Sequence, residues 1–337
     1  MVYAHRDDIF DADTHMMEHP DWIHQFADKS IQDKLEPIAE GDKDVRLRID
    51  NAIKGFEERQ NSPDVLEKAK EEFMGWKHKG WDGLGAFNAE ERKLANDLLG
   101  FKAHLVFPTS AFDQVLAAKE PKVILGGVEA LNKGMAEFCS VDKRMFGAAY
   151  IPFSYGEEIA LNILKKSIQQ GSKVILIDTI APEGTKAFTH PDFDVVWKTI
   201  QDNDITITLH VGADNSWDPV PLSFYNNGSE VPPHKEGDAP RDALAYMGIS
   251  YNAELFLASM IFDGVFDRFP LLRIGVVELG ASWIISWMKH LDQSYRAFRR
   301  LQDLSGVKML PSEYVQKHIK ITPFPGEDIG WLLESGA

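Results

Sequence analysis

Short apolar runs of strand length alternate with longer amphipathic segments along most of the chain. The apolar runs are rich in Val and Ile, as parallel strands covered on both faces should be. They lie at residues 8–15, 102–108, 145–153, 173–179, 205–212, 272–279 and 318–324. The segments between them place apolar residues at helical spacing, most clearly over residues 157–171, 190–204 and 283–301. This alternation predicts parallel βαβ units.

Two architectures have this order of elements: a closed (β/α)₈ barrel and an open, doubly wound sheet. Polar residues stand at the carboxyl ends of several different strands, namely Asp13 and His15, His210, and Glu278. A barrel gathers site residues from many strand ends, whereas an open sheet concentrates them at one switch point. The pattern therefore predicts a (β/α)₈ TIM-type barrel forming one domain over residues 1–337.

Two segments are longer than a minimal barrel requires. Residues 21–100 predict a mostly helical insertion after the first strand. Residues 213–250 are rich in Pro, Gly and Asn and follow the strand that ends in His210. Long loops in compact domains are usually functional or disordered. We interpret the second segment as a loop over the active face, the alternative being a solvated surface loop.

Composition narrows the classes of partner. Of the 337 residues, 44% are apolar and 26% charged, as in ordinary globular proteins, and the formal net charge is −16. This charge argues against nucleic acid or an anionic membrane surface as the partner. The single cysteine, Cys139, rules out an internal disulfide framework. With no long apolar run and no apolar signal core at the start, we expect a cytoplasmic protein that acts on a small molecule.

The first and fifth strands carry residues typical of metal ligands. Asp11, Asp13 and His15 occupy alternate positions, and alternate residues of a strand point to one face. Three polar groups buried on one face cost free energy unless they have partners. His210 ends the fifth strand, and imidazole with carboxylate suits Zn²⁺ or Mn²⁺. Each motif alone is more often a helix cap or a structural histidine; together they indicate one divalent ion bound by Asp13, His15 and His210.

The stretch DADTHMMEHP, residues 11–20, resembles the A-D-S-H-x-x-E-P opening of the amidohydrolase-related (amidohydrolase 2) proteins. The similar branch contains aminocarboxymuconate-semialdehyde decarboxylase and γ-resorcylate decarboxylase. Residues 197–212 and 264–292 match further motifs in order, so the resemblance extends from about residue 8 to the end. It implies a metal-dependent enzyme, commonly a homodimer, that uses one Zn²⁺ or Mn²⁺ and acts on aromatic or unsaturated carboxylates.

The resemblance also implies roles for individual residues. Asp13 and His15 fall on the two first-strand ligands, and His210 falls on the fifth-strand ligand. Glu278 stands where the decarboxylases carry a histidine, in H-x-G, that serves in proton transfer. On the predicted strand, Glu278 shares a face with Ile274 and Val276. It is interpreted as a metal ligand, a general acid or base, or a carboxylate that orients His210, the alternative being a salt bridge.

The strand count predicts an incomplete barrel. Seven strand-like runs are present, and a helical pattern near Glu327 follows the last of them. A (β/α)₈ barrel needs an eighth strand to close against the first. In the resembling family that strand supplies a ligand aspartate. We therefore expect the given sequence to stop before strand eight and its aspartate.

Three functions are compatible with this pattern. The first is non-oxidative decarboxylation of a small aromatic or unsaturated carboxylate, with the metal as Lewis acid. The second is hydrolysis of an amide, ester or C–C bond by water that the metal activates. The third is a non-catalytic barrel that binds a small molecule, which is disfavoured because ligand-type residues at three strand ends serve no packing purpose.

Substrate-binding candidates are aromatic or charged residues near the predicted active face. Aromatic side chains can stack on a planar substrate, and a cationic side chain can pair with its carboxylate. The alternative is core or lid packing for the aromatic residues and simple solvation for the charged ones. The principal candidates are Trp22, Phe107, Trp283 and Arg241, with Trp217, Tyr225 and His234 as further ones.

Overall fold

The computed structural model of the protein describes residues 2–213, 220–231 and 240–336. The chain divides into two compact units. The first comprises residues 1–150 with 167–173, and the second comprises residues 151–166 with 174–337. The assignment of one barrel domain to the whole chain stays a prediction.

All seven predicted strands form, and every strand end lies within three residues of its predicted position. The strands are β1 (Phe10–His15), β2 (Ala103–Phe107), β3 (Met145–Ile151), β4 (Val174–Ile177), β5 (Thr206–His210), β6 (Arg273–Val277) and β7 (Ile319–Ile321). In each unit, every strand pairs in parallel with the next strand along the chain. Parallel strands in chain order, separated by helices, confirm the barrel-type fold, with seven strands among the described residues.

Helices occupy the predicted intervals between the strands and the predicted insertion. The insertion holds α1 (Lys29–Gln32), α2 (Lys43–Asn61), α3 (Pro63–Met74) and α4 (Ala89–Leu99). The later helices are α5 (Ser110–Leu116), α6 (Pro121–Ser140), α7 (Glu157–Gln169), α8 (Asp194–Asp202), α9 (Ala243–Gly248), α10 (Tyr251–Phe262), α11 (Val265–Arg268), α12 (Trp283–Phe298), α13 (Pro311–His318) and α14 (Ile329–Ser335). No helix of the described residues is long and apolar enough to cross a membrane.

In the first unit, the start of β1 departs from regular pairing. Asp11 pairs with His104 of β2, whereas Thr14 pairs with Val106, so three steps along β1 match two along β2. Such an irregularity breaks the alternation of side chains between the two faces. The single face predicted for the three polar residues of β1 is therefore interrupted. Asp11 lies beside the buried His104, whose Nδ1 is 3.5 Å from Asp11 Oδ2.

A buried arginine of the insertion anchors the carboxyl end of β1. Arg92, on α4, donates from Nη2 to the His15 carbonyl (2.7 Å), from Nη1 to Thr14 Oγ1 (3.2 Å) and from Nε to the Gly85 carbonyl (2.6 Å). Gly85 has φ of 72°, and a Cβ there would lie 2.3 Å from Arg92 Cα. Only glycine fits this approach. Burial lowers the pKa of Arg92 to about 10. This value is still well above neutral pH, and the guanidinium therefore stays charged.

In the second unit, strand β5 is buried along most of its length. Ile207 and Leu209 of β5 are fully buried, and His210 closes the strand beside Val277 of β6. Thr208 is also buried, and its hydroxyl donates to the Ile175 carbonyl of β4 (2.7 Å). The strand is therefore covered on both faces, as its composition predicts, and the two residues at its ends, Thr206 and His210, are the partly exposed ones.

Candidate metal centre

The first unit supplies an aspartate and a histidine that face each other at the end of β1. His15 Nε2 lies 3.3 Å from Asp13 Oδ1, and the two side chains are 20% and 33% exposed. Asp13 is held from behind, since its backbone N–H donates to Asp11 Oδ1 (3.1 Å). The predicted carboxylate–histidine pair of β1 therefore has both ligand-type atoms on one side.

The hydrogen bonds around His15 fix which ring nitrogen carries the proton. His15 Nδ1 is 3.0 Å from Thr109 Oγ1, and the Thr109 hydroxyl donates to the Met16 carbonyl (2.8 Å). A hydroxyl has one proton and a carbonyl can only accept, so both contacts are satisfied only if His15 Nδ1–H donates to Thr109. The lone pair of the neutral ring then lies on Nε2, the atom that faces Asp13.

The second unit supplies a matching pair. His210, the last residue of β5, has Nδ1 2.8 Å from the carbonyl of Val211, so Nδ1–H donates and Nε2 carries the lone pair. That Nε2 lies 3.4 Å from Glu278 Oε2. The His210 side chain is 7% exposed and that of Glu278 26%. Each unit thus holds one imidazole Nε2 opposite one carboxylate oxygen.

Glu278 reaches this position through an unusual backbone conformation. It lies one residue beyond β6 and has φ of 55°, in the left-handed region that non-glycine residues rarely adopt. The face predicted for Glu278 with Ile274 and Val276 is therefore wrong, because the strand has ended and the chain turns. The Glu278 N–H donates to Thr322 Oγ1 (3.2 Å), which helps to hold the turn.

The segment after Glu278 is fixed by a second acid. Glu327, in the loop between β7 and α14, accepts from the backbone N–H groups of Ala281 (2.9 Å) and Ser282 (2.6 Å) at the start of α12. Gly280 has φ of 68°, and a Cβ there would lie 2.8 Å from the Phe324 ring. Strain at a functional residue persists only when the surroundings over-determine it. Here the two hydrogen bonds from backbone N–H groups to Glu327 and the close packing of Phe324 on Gly280 hold the segment after Glu278 in place.

The chemistry of the two pairs suits a divalent cation. In each, a lone pair on nitrogen faces a carboxylate oxygen, which is repulsive unless a proton or a cation lies between them. Two ligand atoms at about 2.1 Å from one ion lie roughly 3.0–3.4 Å apart, for angles between octahedral and tetrahedral. The observed separations of 3.3 and 3.4 Å fall within this range. The residues present therefore fit a metal ion.

Another acidic residue, Glu18, lies a few residues after the Asp13–His15 pair of β1. Glu18 has no exposed surface, and its carboxylate accepts from the backbone N–H groups of Thr109 (3.0 Å) and Ala111 (3.1 Å). Burial raises the pKa of Glu18 to about 7, although these two hydrogen bonds act in the opposite direction. Glu18 thus ties the residues after β1 to the start of α5.

Two predicted substrate-binding aromatics lie in the first unit. Phe107, at the end of β2, is buried, and its ring centroid is 5.7 Å from that of His15. Trp22 is also buried, packs on Phe26 at 5.1 Å, and lines a cavity of about 520 Å³ together with His19. Phe107 is therefore adjacent to a candidate ligand, whereas Trp22 belongs to a separate aromatic cluster.

The other candidates belong to the second unit. The Trp283 indole N–H donates to the Gly280 carbonyl (2.8 Å), two residues beyond Glu278. The Arg241 guanidinium lies over the Tyr225 ring, 5.8 Å from its centroid. Trp217 and His234 lie outside the described residues.

Sequence reasoning missed the residues that hold the candidate ligands in place. These residues contact ligands through backbone groups or hydroxyls, and such contacts leave no spacing signal. A partial signal exists for Glu18, because an acid within an apolar stretch near a strand end needs an explanation. The missed residues are Glu18, Arg92, Thr109, Thr322 and Glu327.

No family profile matches the chain, and no curated protein sequence matches it. Solved structures do resemble it over nearly its whole length. An amidohydrolase of Mycobacterium avium subsp. paratuberculosis K-10 shares 15% identity and a TM-score of 0.68, over 98% of this chain and 86% of that one. A 2,6-dihydroxybenzoate decarboxylase from Rhizobium shares 16% identity and a TM-score of 0.57, over 97% and 83%.

A third similar structure is a variant of 5-carboxyvanillate decarboxylase from Novosphingobium aromaticivorans, with bound manganese and a nitrobenzoic acid. It shares 17% identity and a TM-score of 0.58, over 96% of this chain and 82% of that one. At these identities the likeness establishes the fold. The chain therefore has the fold found in these amidohydrolases and decarboxylases.

The strained backbone at Glu278 gives a direct test of its conformation. Replacing Glu278 by Gly or by Ala removes the same carboxylate, but only Gly adopts a positive φ without strain. We expect Glu278→Gly to be more stable than Glu278→Ala by about 1 kcal/mol, the reverse of the usual order. Chemical denaturation of both metal-free variants measures the difference. A more stable Ala variant would contradict the left-handed conformation.

Proposed function

We propose that the protein binds one divalent metal ion through Asp13, His15 and His210, with Glu278 beside them. In a (β/α) barrel the carboxyl ends of all strands open onto one face, where the active site lies. The two imidazole–carboxylate pairs both stand at such ends. The proposal is supported by the matching donor atoms of the two pairs, an imidazole nitrogen opposite a carboxylate oxygen in each.

The donor set limits the choice of metal. Imidazole nitrogen with carboxylate oxygen, and no thiolate, suits Zn²⁺ or Mn²⁺. The only cysteine, Cys139, is buried on α6 and belongs to neither pair, and burial raises the pKa of its thiol to about 12. The Novosphingobium decarboxylase of similar fold was crystallised with manganese, which adds weight to Mn²⁺.

The reaction that we propose is non-oxidative decarboxylation of a small aromatic or unsaturated carboxylate. The observation that carries it is the carboxyl group of Glu278, 3.4 Å from His210 Nε2 at the end of β6, where a proton donor is needed. Two of the structures with this fold are aromatic carboxylate decarboxylases. The protein would then be a metal-dependent carboxy-lyase of the amidohydrolase superfamily.

The bound ion would supply Lewis-acid stabilisation of negative charge on substrate oxygens. Glu278, in its acid form, gives its proton to the carbon that bears the carboxylate. The bond to that carboxylate then breaks, its electron pair restores the unsaturated system, and CO₂ leaves. Water returns a proton to Glu278. Arg241 would pair with the substrate carboxylate, while Phe107 and Trp283 would pack against its plane.

Hydrolysis is the second candidate, and the identity of residue 278 favours it. A carboxylate can act as a general base and take the proton of an attacking water molecule. A glutamate at this place, where the resembling decarboxylases carry histidine, suits that role. The substrate would then be an amide, an ester or a C–C bond next to a carbonyl.

We further propose that the protein is a homodimer. In the second unit, four apolar side chains recur every three or four residues along α9 and α10 and remain exposed: Leu244, Met247, Tyr251 and Leu255. An exposed apolar stripe of this kind marks an interaction surface. A second copy of the chain is its simplest occupant, and the homodimeric state implied by the resemblance agrees with it.

The cytoplasm is the proposed compartment. The lone thiol of Cys139 is buried and has no second cysteine with which to pair. Proteins of oxidising compartments more often carry paired cysteines.

Metal retention tests the ligand set. After dialysis against buffer without metal, the wild-type protein should keep about one ion per chain, because a site with several ligands releases it slowly. His210→Ala and His15→Ala should lose it, whereas His190→Ala, an exposed histidine next to Asp192, should not. Elemental analysis gives the stoichiometry. Wild-type metal content in His210→Ala would exclude that residue as a ligand.

The two reactions are separated by their products. With aromatic carboxylates as substrates, decarboxylation releases CO₂, whereas hydrolysis incorporates ¹⁸O from labelled water. In either case Glu278→Gln should lower kcat about 10²–10⁴-fold with little change in KM, since it removes the proton-carrying group and keeps the shape. An unchanged kcat would leave Glu278 without a chemical role.

The dimer proposal has a matched pair of variants. Leu255 and Leu271 are both 72% exposed, but only Leu255 belongs to the apolar stripe. Leu255→Lys should sediment as a monomer in analytical ultracentrifugation because it places a charge in the contact. Leu271→Lys should sediment like the wild type. A wild-type monomer, or a dimer that tolerates Leu255→Lys, would contradict this surface.

A further inference from the structure

A buried acid lies three residues after His15. Glu18 is fully buried, yet no lysine or arginine of the described residues forms an ion pair with it. Its two carboxylate oxygens instead accept from the backbone N–H groups of Thr109 and Ala111, at 3.0 and 3.1 Å. Burying a carboxylate without a cationic partner is costly, so its place here calls for an explanation. The residues that it binds indicate the explanation.

Thr109 occupies the N-cap of α5 but does not cap it. Threonine at this position normally accepts from the N–H of the second or third helical residue. Here its side chain makes no capping hydrogen bond. The N–H of Ala111, the second helical residue, donates to Glu18 instead. The Glu18 carboxylate therefore takes the place of the N-cap side chain, and the Thr109 hydroxyl can make other hydrogen bonds.

The Thr109 hydroxyl is what fixes the His15 ring. It donates to the Met16 carbonyl (2.8 Å) and accepts from His15 Nδ1 at 3.0 Å. These contacts place the ring proton on Nδ1 and the lone pair on Nε2. A hydrogen bond to the second ring nitrogen commonly sets the tautomer and orientation of a ligating histidine.

We propose that Thr109 and Glu18 are positioning residues for His15, with Thr109 holding the ring tautomer and Glu18 holding Thr109. This inference rests on the metal site proposed above. A purely structural role would make Glu18 a substitute helix cap, whose loss lowers stability and leaves the His15 ring unchanged. The two roles differ in metal affinity and in the tautomer of His15.

Metal affinity is measured by titrating the metal-free protein with Mn²⁺ or Zn²⁺ against a chromogenic chelator. Thr109→Val, which keeps the shape and removes the hydroxyl, should weaken binding about 10–100-fold. Thr109→Ser keeps the hydroxyl and should bind like the wild type. Glu18→Gln should weaken binding in the same direction as Thr109→Val. Thr189→Val is the control, since Thr189 is buried and its hydroxyl likewise makes a side-chain hydrogen bond, donating to Asp263 Oδ2 (2.6 Å).

The tautomer is measured without metal. In ¹⁵N NMR spectra of the metal-free wild type, His15 should be the Nδ1–H tautomer, and Thr109→Val should shift it toward Nε2–H. His15→Gln identifies the signal. Because Thr109→Val and Thr109→Ser differ little in size, this comparison remains decisive if Glu18→Gln fails to fold.

The outcomes separate the two proposals. Wild-type affinity and an unchanged tautomer in Thr109→Val would overturn the positioning role while the metal site stands. A wild-type protein that takes up no ion, but whose His15 tautomer depends on Thr109, would overturn the metal site while the positioning role stands. If Thr109→Val and Glu18→Gln both lose stability while metal affinity and the His15 tautomer stay unchanged, Glu18 is only a helix cap.

Discussion

The contact between an imidazole lone pair and a carboxylate oxygen is the interaction on which the candidate site depends. It occurs once in each unit, between His15 and Asp13 at 3.3 Å and between His210 and Glu278 at 3.4 Å. Both histidines donate a hydrogen bond from Nδ1–H, His15 to the Thr109 hydroxyl and His210 to the Val211 carbonyl. In the neutral ring each Nε2 therefore directs a lone pair at the carboxylate oxygen, an arrangement that a divalent cation converts from repulsive to favourable.

Several residues around these contacts hold the candidate ligands in place through hydrogen bonds to the backbone. Arg92 binds the His15 carbonyl, and its close approach requires glycine at position 85. Glu18 and Glu327 each bind backbone N–H groups at the start of a helix next to a candidate ligand. Preorganised sites need such support because ligand groups must be held within fractions of an ångström. The strained backbone of Glu278 persists for the same reason.

The sequence determined the barrel-type fold and the positions of the candidate ligands. Hydrophobic periodicity predicts all seven strands and the helices α7, α8 and α12. Burial on both faces of a parallel strand, or on one face of a helix, leaves a strong and local signal in the sequence. Asp13, His15 and His210 are candidate ligands on sequence grounds, because a polar side chain at the end of an apolar strand needs an explanation. The metal-type chemistry followed from the residue types alone.

Only the tertiary structure decided how those residues are oriented and held. The irregularity in β1 that sets Asp11 beside His104, and the left-handed turn at Glu278, break the alternation on which strand-face arguments rest. The tautomer of His15 depends on Thr109, which is 94 residues away in the chain. Such contacts join residues through backbone groups and hydroxyls, which carry no periodic pattern. Local sequence therefore specified which side chains are present, and long-range packing specified what each of them can do.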